Sequence, residues 1–160
     1  MLATCQPGLT ASSLHPQLSV LYSAPVSDDF DWVGAQATCS AAAMFGRLQT
    51  QVEDDVRRRN GLLGRPDGWK FEFHADNDAA IFDVSRLLAN GASVASVQFE
   101  RAGRRILIQG KDLDVDLTAI VTLDASGLCR YVVGEALYSE WELRRMALEL
   151  LFFEDAEESV

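Results

Sequence analysis

Between Met1 and Ser27 the chain contains no Asp, Glu, Lys or Arg. A segment that stays solvated without folding normally carries charge or very few apolar residues, yet this one holds Leu14, Leu18, Val20, Leu21 and Tyr22. The expectation is an uncharged N-terminal arm over 1–27, flexible over 1–12, that then lies on an apolar surface of its own subunit or a neighbour. The opening residues also lack a basic start and a continuous apolar run, so they do not read as a secretory signal. The only histidines are His15 and His74, and the only cysteines are Cys5, Cys39 and Cys129, with no CxxC pair among them. A zinc site needs such ligands at close, repeated spacing, so none is expected, and neither is a disulfide framework. That cysteine usage favours a reducing, cytoplasmic setting. No run approaches 18 apolar residues, which excludes a bilayer-spanning helix and predicts a soluble protein.

Positive charge is also scarce. Fourteen basic side chains stand against 24 acidic ones, a net charge of −10, whereas nucleic acid and anionic lipid must be met by clustered cations. The basic groupings, Arg57-Arg58-Arg59 with Arg65 and Lys70, and Arg101, Arg104, Arg105 and Lys111, are diluted by neighbouring acids. No aromatic alternation suggests stacked bases. The Gly61–Gly64 segment follows no expected strand and lacks the Lys-Ser/Thr of a phosphate loop. Neither nucleic acid nor a membrane is an expected partner.

What remains is 160 residues, one ordinary domain, able to bury roughly 65–70% of its extended-chain surface. The expected division is the arm over 1–27, one α+β domain over 28–155 and an acidic tail over 156–160. A first helix is predicted over Gln36–Asn60, where Ala41, Phe45, Leu48, Val52 and Val56 recur at steps of three or four. Glu53–Arg57, Asp54–Arg58 and Asp55–Arg59 are acid-to-base pairs four apart on its outer side, and Asn60-Gly61 reads as a left-handed stop. Pro66-Asp67-Gly68 marks a turn. Trp69, Phe71 and Phe73 alternate with Lys70, Glu72 and His74 as in a strand. A second helix is predicted from Asp76 to Gly91, capped by Asp76, with Ile81, Val84, Leu87 and Leu88 inward. Four strand-like runs follow, joined near Arg101–Gly103, Gly110-Lys111 and Ala125–Gly127. The last helix opens on a Ser139/Glu142 capping box and runs to about Glu154. The fold class is therefore α+β, a single antiparallel sheet of about five strands packed against two or three helices, with a long C-terminal helix.

Two constellations could carry chemistry. Cys39 falls near the start of the first helix, where backbone N–H groups lower a thiol's pKa, and His74 on the first strand could act as its base. This resembles papain-like and transglutaminase-like enzymes, which place a nucleophile at a helix start and a histidine on a later strand. It departs from them in having no Gly-Xaa-Cys-Trp segment and only 35 residues between the two groups. The resemblance implies a small cysteine-dependent hydrolase or acyltransferase. Asp112, Asp114 and Asp116 at alternate positions predict a row of carboxylates on one strand face, a weak candidate for a metal site; such a mid-strand row is more often a solvated sheet face. No cofactor is called for.

The feature that dominates is apolar surplus. Leu143, Met146, Ala147, Leu150 and Leu151 make one face of the last helix, while Trp141, Leu148 and Phe152 make a second. Phe30 and Trp32 stand among Asp28, Asp29 and Asp31, as rings do in binding patches. The expected function is a non-enzymatic protein-binding adaptor, assembly factor or secretion-chaperone-like protein. It is similar in physical type to specialised bacterial secretion chaperones. Another protein chain is its partner, and a homo-oligomer, in particular a homodimer, is expected. Phe30, Trp32, Trp141, Leu148 and Phe152 are the expected contact surface. The alternatives are the Cys39/His74 enzyme and a pocket protein closing round a small ligand.

Overall fold

The computed structural model describes residues 27–62 and 68–153. The arm before Ser27, the turn residues 63–67 and the acidic end from Glu154 lie outside the described residues. In chain order the elements are α1 (Trp32–Thr38), α2 (Ala41–Gly61), β1 (Lys70–Asp76), β2 (Ile81–Leu87), β3 (Ser93–Ala102), β4 (Arg105–Lys111), β5 (Asp116–Leu123), β6 (Cys129–Val133), β7 (Ala136–Tyr138) and α3 (Glu140–Phe153). The strands form one sheet in sequential order β1 to β7, each antiparallel to the next. The class is α+β with a C-terminal helix, as its patterning requires.

The helix predicted over Gln36–Asn60 is two helices. Asp31 caps α1, accepting from the Gly34 N–H at 2.9 Å. Ser40 restarts the chain as the N-cap of α2, accepting from the Ala43 N–H at 3.1 Å. Each cap satisfies a donor that has no partner inside the helix. Met44, Phe45, Leu48, Val52 and Val56 form the buried stripe of α2, and each such side chain contributes roughly 1.5–3 kcal/mol. Asn60 is not a left-handed stop. It remains helical, and its side-chain amide donates to the Phe71 carbonyl at 2.8 Å and accepts from the Phe71 N–H at 3.0 Å. It thereby satisfies part of the free edge of β1.

The helix predicted over Asp76–Gly91 is a correction: residues 76–91 are a hairpin and the start of the next turn. Phe82, Val84 and Arg86 of β2 point inward and are buried, while Ile81, Asp83, Ser85 and Leu87 are half-buried on the other side. Asp76 does cap N–H groups, those of Asp78 and Ala79, both at 3.1 Å, but in the β1–β2 turn. The sheet has seven strands rather than five because β2 joins it and because the run from Leu128 to Tyr138 folds back at Gly134 into β6 and β7.

Both long helices lie against one face of the sheet. Trp69, Phe71, Phe82, Val84, Val97, Phe99, Ile106, Ile108, Ala119, Val121 and Tyr131 supply that face, and Leu143, Ala147, Leu148, Leu151 and Phe152 pack from α3. The other face carries His74, Asp83, Gln98, Gln109 and Asp116, each opposite the next across β1 to β5. A further correction concerns cysteine. Cys39 and Cys129, 90 residues apart, are joined as a disulfide with their Cα atoms 5.4 Å apart.

Candidate partner-binding groove

The capping box that opens α3 is formed as expected. Ser139 donates from its N–H at 2.7 Å and from its hydroxyl at 2.6 Å to one oxygen of Glu142. These bonds hold the Glu142 carboxyl below its ordinary range. From this fixed start α3 runs alongside α2 in the same direction, tied to it at three levels. Arg47 meets Glu140 at 3.5 Å, Asp55 pairs with Arg144, and Arg59 donates to the Phe152 carbonyl at 2.9 Å.

The predicted acid-to-base ladder on α2 is thus only partly used. Glu53 and Arg57 pair at 2.8 Å. Asp55 turns instead to Arg144 and, at 3.8 Å, to Arg58. Arg59 leaves the outer side altogether and is buried, its guanidinium 5.1 Å from the Phe71 ring centre and 5.2 Å from that of Phe153.

Between the C-terminal half of α2 and α3 this leaves a groove of about 400 Å³. Leu148 and Phe152 form its floor. Its walls are Leu62, Trp141 and Phe153, exposed by 52%, 58% and 62%. Arg58, Arg144 and Arg145 stand over it with Asp55 and Glu149, and Arg145 reaches Glu149 at 3.0 Å. On its far side Trp141 also borders a smaller depression of about 250 Å³ shared with Tyr138 and Met146. The Trp141 ring is therefore a ridge between two concavities.

The residues expected to form one contact surface divide into three environments. Trp141 is exposed on the groove wall. Leu148 and Phe152 are buried in the core and show the groove only their outer edges. This corrects the second apolar face of α3: two of its three members are enclosed within the subunit. Phe30 and Trp32 line neither depression. Phe30 is half-buried against Gly127 in the β5–β6 turn, and Trp32 is 63% exposed on α1.

Leu62, Phe153 and the Arg144-Arg145 pair were missed. The signal for Phe153 lay in Leu150–Phe153, where four consecutive apolar residues cannot all face one core on a helix. Nothing local marked Leu62 or the arginines, since the groove exists only once α2 and α3 lie side by side.

The other candidates do not assemble. Cys39 is 2% exposed on the helix-covered side and bonded to Cys129, with its sulfur 3.2 Å from the Thr122 carbonyl oxygen. His74 projects from the opposite face, 3.9 Å from Glu72 and 3.8 Å from Asp83. Its strand, β1, is separated from β5 and β6 by roughly 19–24 Å of sheet at ~4.8 Å per strand. Proton transfer between Cys39 and His74 needs hydrogen-bond reach, so the dyad is excluded. Asp112 and Asp114 precede β5 in a turn, Asp112 at φ 59°, and only Asp116 belongs to the strand. The row of three carboxylates does not exist, and among the described residues no three His, Cys, Asp or Glu side chains are grouped to hold a metal ion.

No described helix is long and apolar enough to cross a membrane. Comparison of the chain with protein-family models, with curated proteins and with solved structures finds no match. Its function is therefore read from its own geometry.

Proposed function

We propose that this protein is a non-enzymatic binding protein that takes a short segment of another chain into the groove between α2 and α3. One observation carries the reading: Trp141, Phe153 and Leu62, three of the large apolar side chains left facing water, surround a single concavity. Aromatic residues held exposed on rigid helices are the usual anchors of protein contacts. The charge of the site supports one class of occupant. Four arginines and two carboxylates line the groove in a chain whose net charge is −10, so the site is locally basic on an acidic molecule. A segment with a large apolar side chain flanked by Asp or Glu meets both features, the ring on the Trp141 wall and the carboxylates beside Arg58 and Arg145. No cysteine or histidine lines the groove, which favours holding over nucleophilic chemistry. An adaptor, assembly or chaperone-like role accords with this reading.

The test uses a synthetic peptide with one central Phe or Leu between glutamates, and a control with lysines in their place. Binding is followed by isothermal titration calorimetry, which needs no tryptophan probe, with light scattering alongside. The glutamate peptide should bind, and Trp141→Ala and Arg145→Glu should each weaken it about tenfold, the ~1.4 kcal/mol of one good contact. Equal affinity for both peptides, or indifference to Trp141→Ala, ends the proposal. A dimer that dissociates on Trp141→Asp assigns the groove to a second copy of this chain instead.

A further inference from the structure

We propose that the Cys39–Cys129 bond is a reversible redox pin that fastens α1 to the sheet, and that reduction releases α1 while the rest of the domain stays folded. Cys39 is the C-cap of α1 and stands immediately before Ser40, the N-cap of α2. Cys129 is the first residue of β6, beside the β5–β6 turn. Their Cα separation of 5.4 Å lies in the range that a disulfide spans without backbone movement. The bond therefore joins the hinge between two helices to the far half of the sheet.

α1 has little else to hold it. None of its own residues is buried, and Trp32 and Val33 face solvent. Its two flanks are anchored, Phe30 against Gly127 on one side and Cys39 beside the Thr122 carbonyl on the other. A helix of seven residues is too short to persist without tertiary support. Segments with few buried apolar contacts open locally at low cost, so a covalent tie at the end of α1 changes its order more than that of any other element. α2 carries six buried residues of its own and does not depend on the bond in this way.

The chemistry balances with a dithiol reductant. Cys129 is half-buried and Cys39 buried, so the incoming thiolate attacks the Cys129 sulfur and Cys39 leaves as a thiolate that takes up a proton. The second thiol of the reductant then displaces Cys129, which also gains a proton. The protein disulfide has accepted two electrons and two protons, and the reductant has become a disulfide. Freed as a thiol, Cys39 has an acceptor in place, the Thr122 carbonyl oxygen at 3.2 Å. Reduction thus leaves no orphaned donor in the core, which suits a bond that is made and broken repeatedly. Glutathione disulfide, by the reverse exchange, is sufficient to restore it.

The test uses the full chain. After equilibration in a glutathione buffer with the reduced form in excess over the disulfide, and denaturation without reductant, alkylation should label one cysteine, Cys5; after treatment with dithiothreitol it should label all three. Hydrogen exchange should then show amides of residues 30–40 exchanging at least tenfold faster in the reduced wild type and in Cys129→Ser, while residues 44–56 keep their protection. Because reduction of the wild type needs no substitution, a Cys129→Ser variant that fails to fold leaves the comparison intact. Three labelled cysteines after that equilibration, or a bond that involves Cys5, overturns the proposal. So does equal exchange of residues 30–40 in both states, or loss of protection across the whole domain on reduction.

Discussion

The guanidinium of Arg59, near the end of α2, donates to the carbonyl of Phe152, near the end of α3, at 2.9 Å, in a buried setting. Carbonyls at a helix C-terminus have no partner within the helix and carry its negative pole. A cation from the neighbouring helix answers both needs, and its flat face lies over Phe71 and Phe153. The contact therefore joins α2, α3 and β1 and sets the width of the groove. Arg59→Ala should lower stability by about 2–3 kcal/mol, the usual loss when a charged hydrogen bond to a buried group is removed. Arg59→Lys should not restore it, because an ammonium cannot lie flat on two rings while donating in plane. Urea unfolding of the three proteins checks both statements.

Asp124 controls the acid limb of stability. Burial alone would raise its pKa, but hydrogen bonds from the Leu128 N–H, the Ser126 hydroxyl, the Arg130 guanidinium and the Ser126 N–H outweigh that and bring it to about 2. A folded-state pKa below the unfolded value means stability present above pH 4–5 and lost as pH falls towards 2. The shift corresponds to about 2 kcal/mol. Asp124→Asn should be less stable at pH 7 and show a flatter loss between pH 5 and 2, a residual slope remaining from groups such as Glu142. Thermal melting across that range gives the comparison.

Much of this architecture is legible in the sequence. The α2 stripe, the Trp69–Phe71 alternation, the meander and the Ser139/Glu142 box each rest on contacts within one element or one turn, and those leave a periodic trace in the chain. β2 was not legible for a specific reason. Its inward residues are Phe82, Val84 and Arg86, and an arginine at a core position breaks the alternation of apolar and polar residues. Arg86 sits 4.2 Å from the Trp69 ring centre and donates to the Leu151 carbonyl at 3.3 Å, a setting only the tertiary fold supplies. With that alternation broken, Ile81, Val84, Leu87 and Leu88 matched a helical spacing. The candidate site was half legible. The excess of apolar residues on α3 was visible, but which of them close the core depends on how deep α2 lies against the sheet. Leu148 and Phe152 therefore went inward and Trp141 did not.

Gly127 is the contact through which the β5–β6 turn receives Phe30. Its φ is +77°, and a Cβ there would stand 2.5 Å from the tip of the Phe30 ring. Gly127→Ala is thus unfavourable twice, through backbone strain and through displacement of the ring. A loss of at least about 1 kcal/mol is expected, together with faster hydrogen exchange in residues 30–38. Gly103→Ala serves as control, since its φ is +64° but nothing lies within 4 Å of the added carbon. It should share the strain and leave exchange at residues 30–38 unchanged.

Phe82 is the centre of the aromatic core. It stacks on Phe99 at 4.5 Å and meets Phe45 of α2 at 5.1 Å and Phe73 of β1 at 5.6 Å. Removing its ring opens a cavity bounded by a helix on one side and three strands on the other, elements that cannot move together to close it. Phe82→Ala should therefore cost about 3–5 kcal/mol, and Phe82→Leu distinctly less because it keeps most of the volume. Trp141→Ala, which removes a larger side chain from the groove wall, should stay within about 0.5 kcal/mol of wild type, since an exposed ring gives up little on truncation. The ordering of these three variants in urea separates the residues that build this fold from the one offered to a partner. A Trp141→Ala loss as large as that of Phe82→Ala would place Trp141 in the core and remove the wall on which the groove depends.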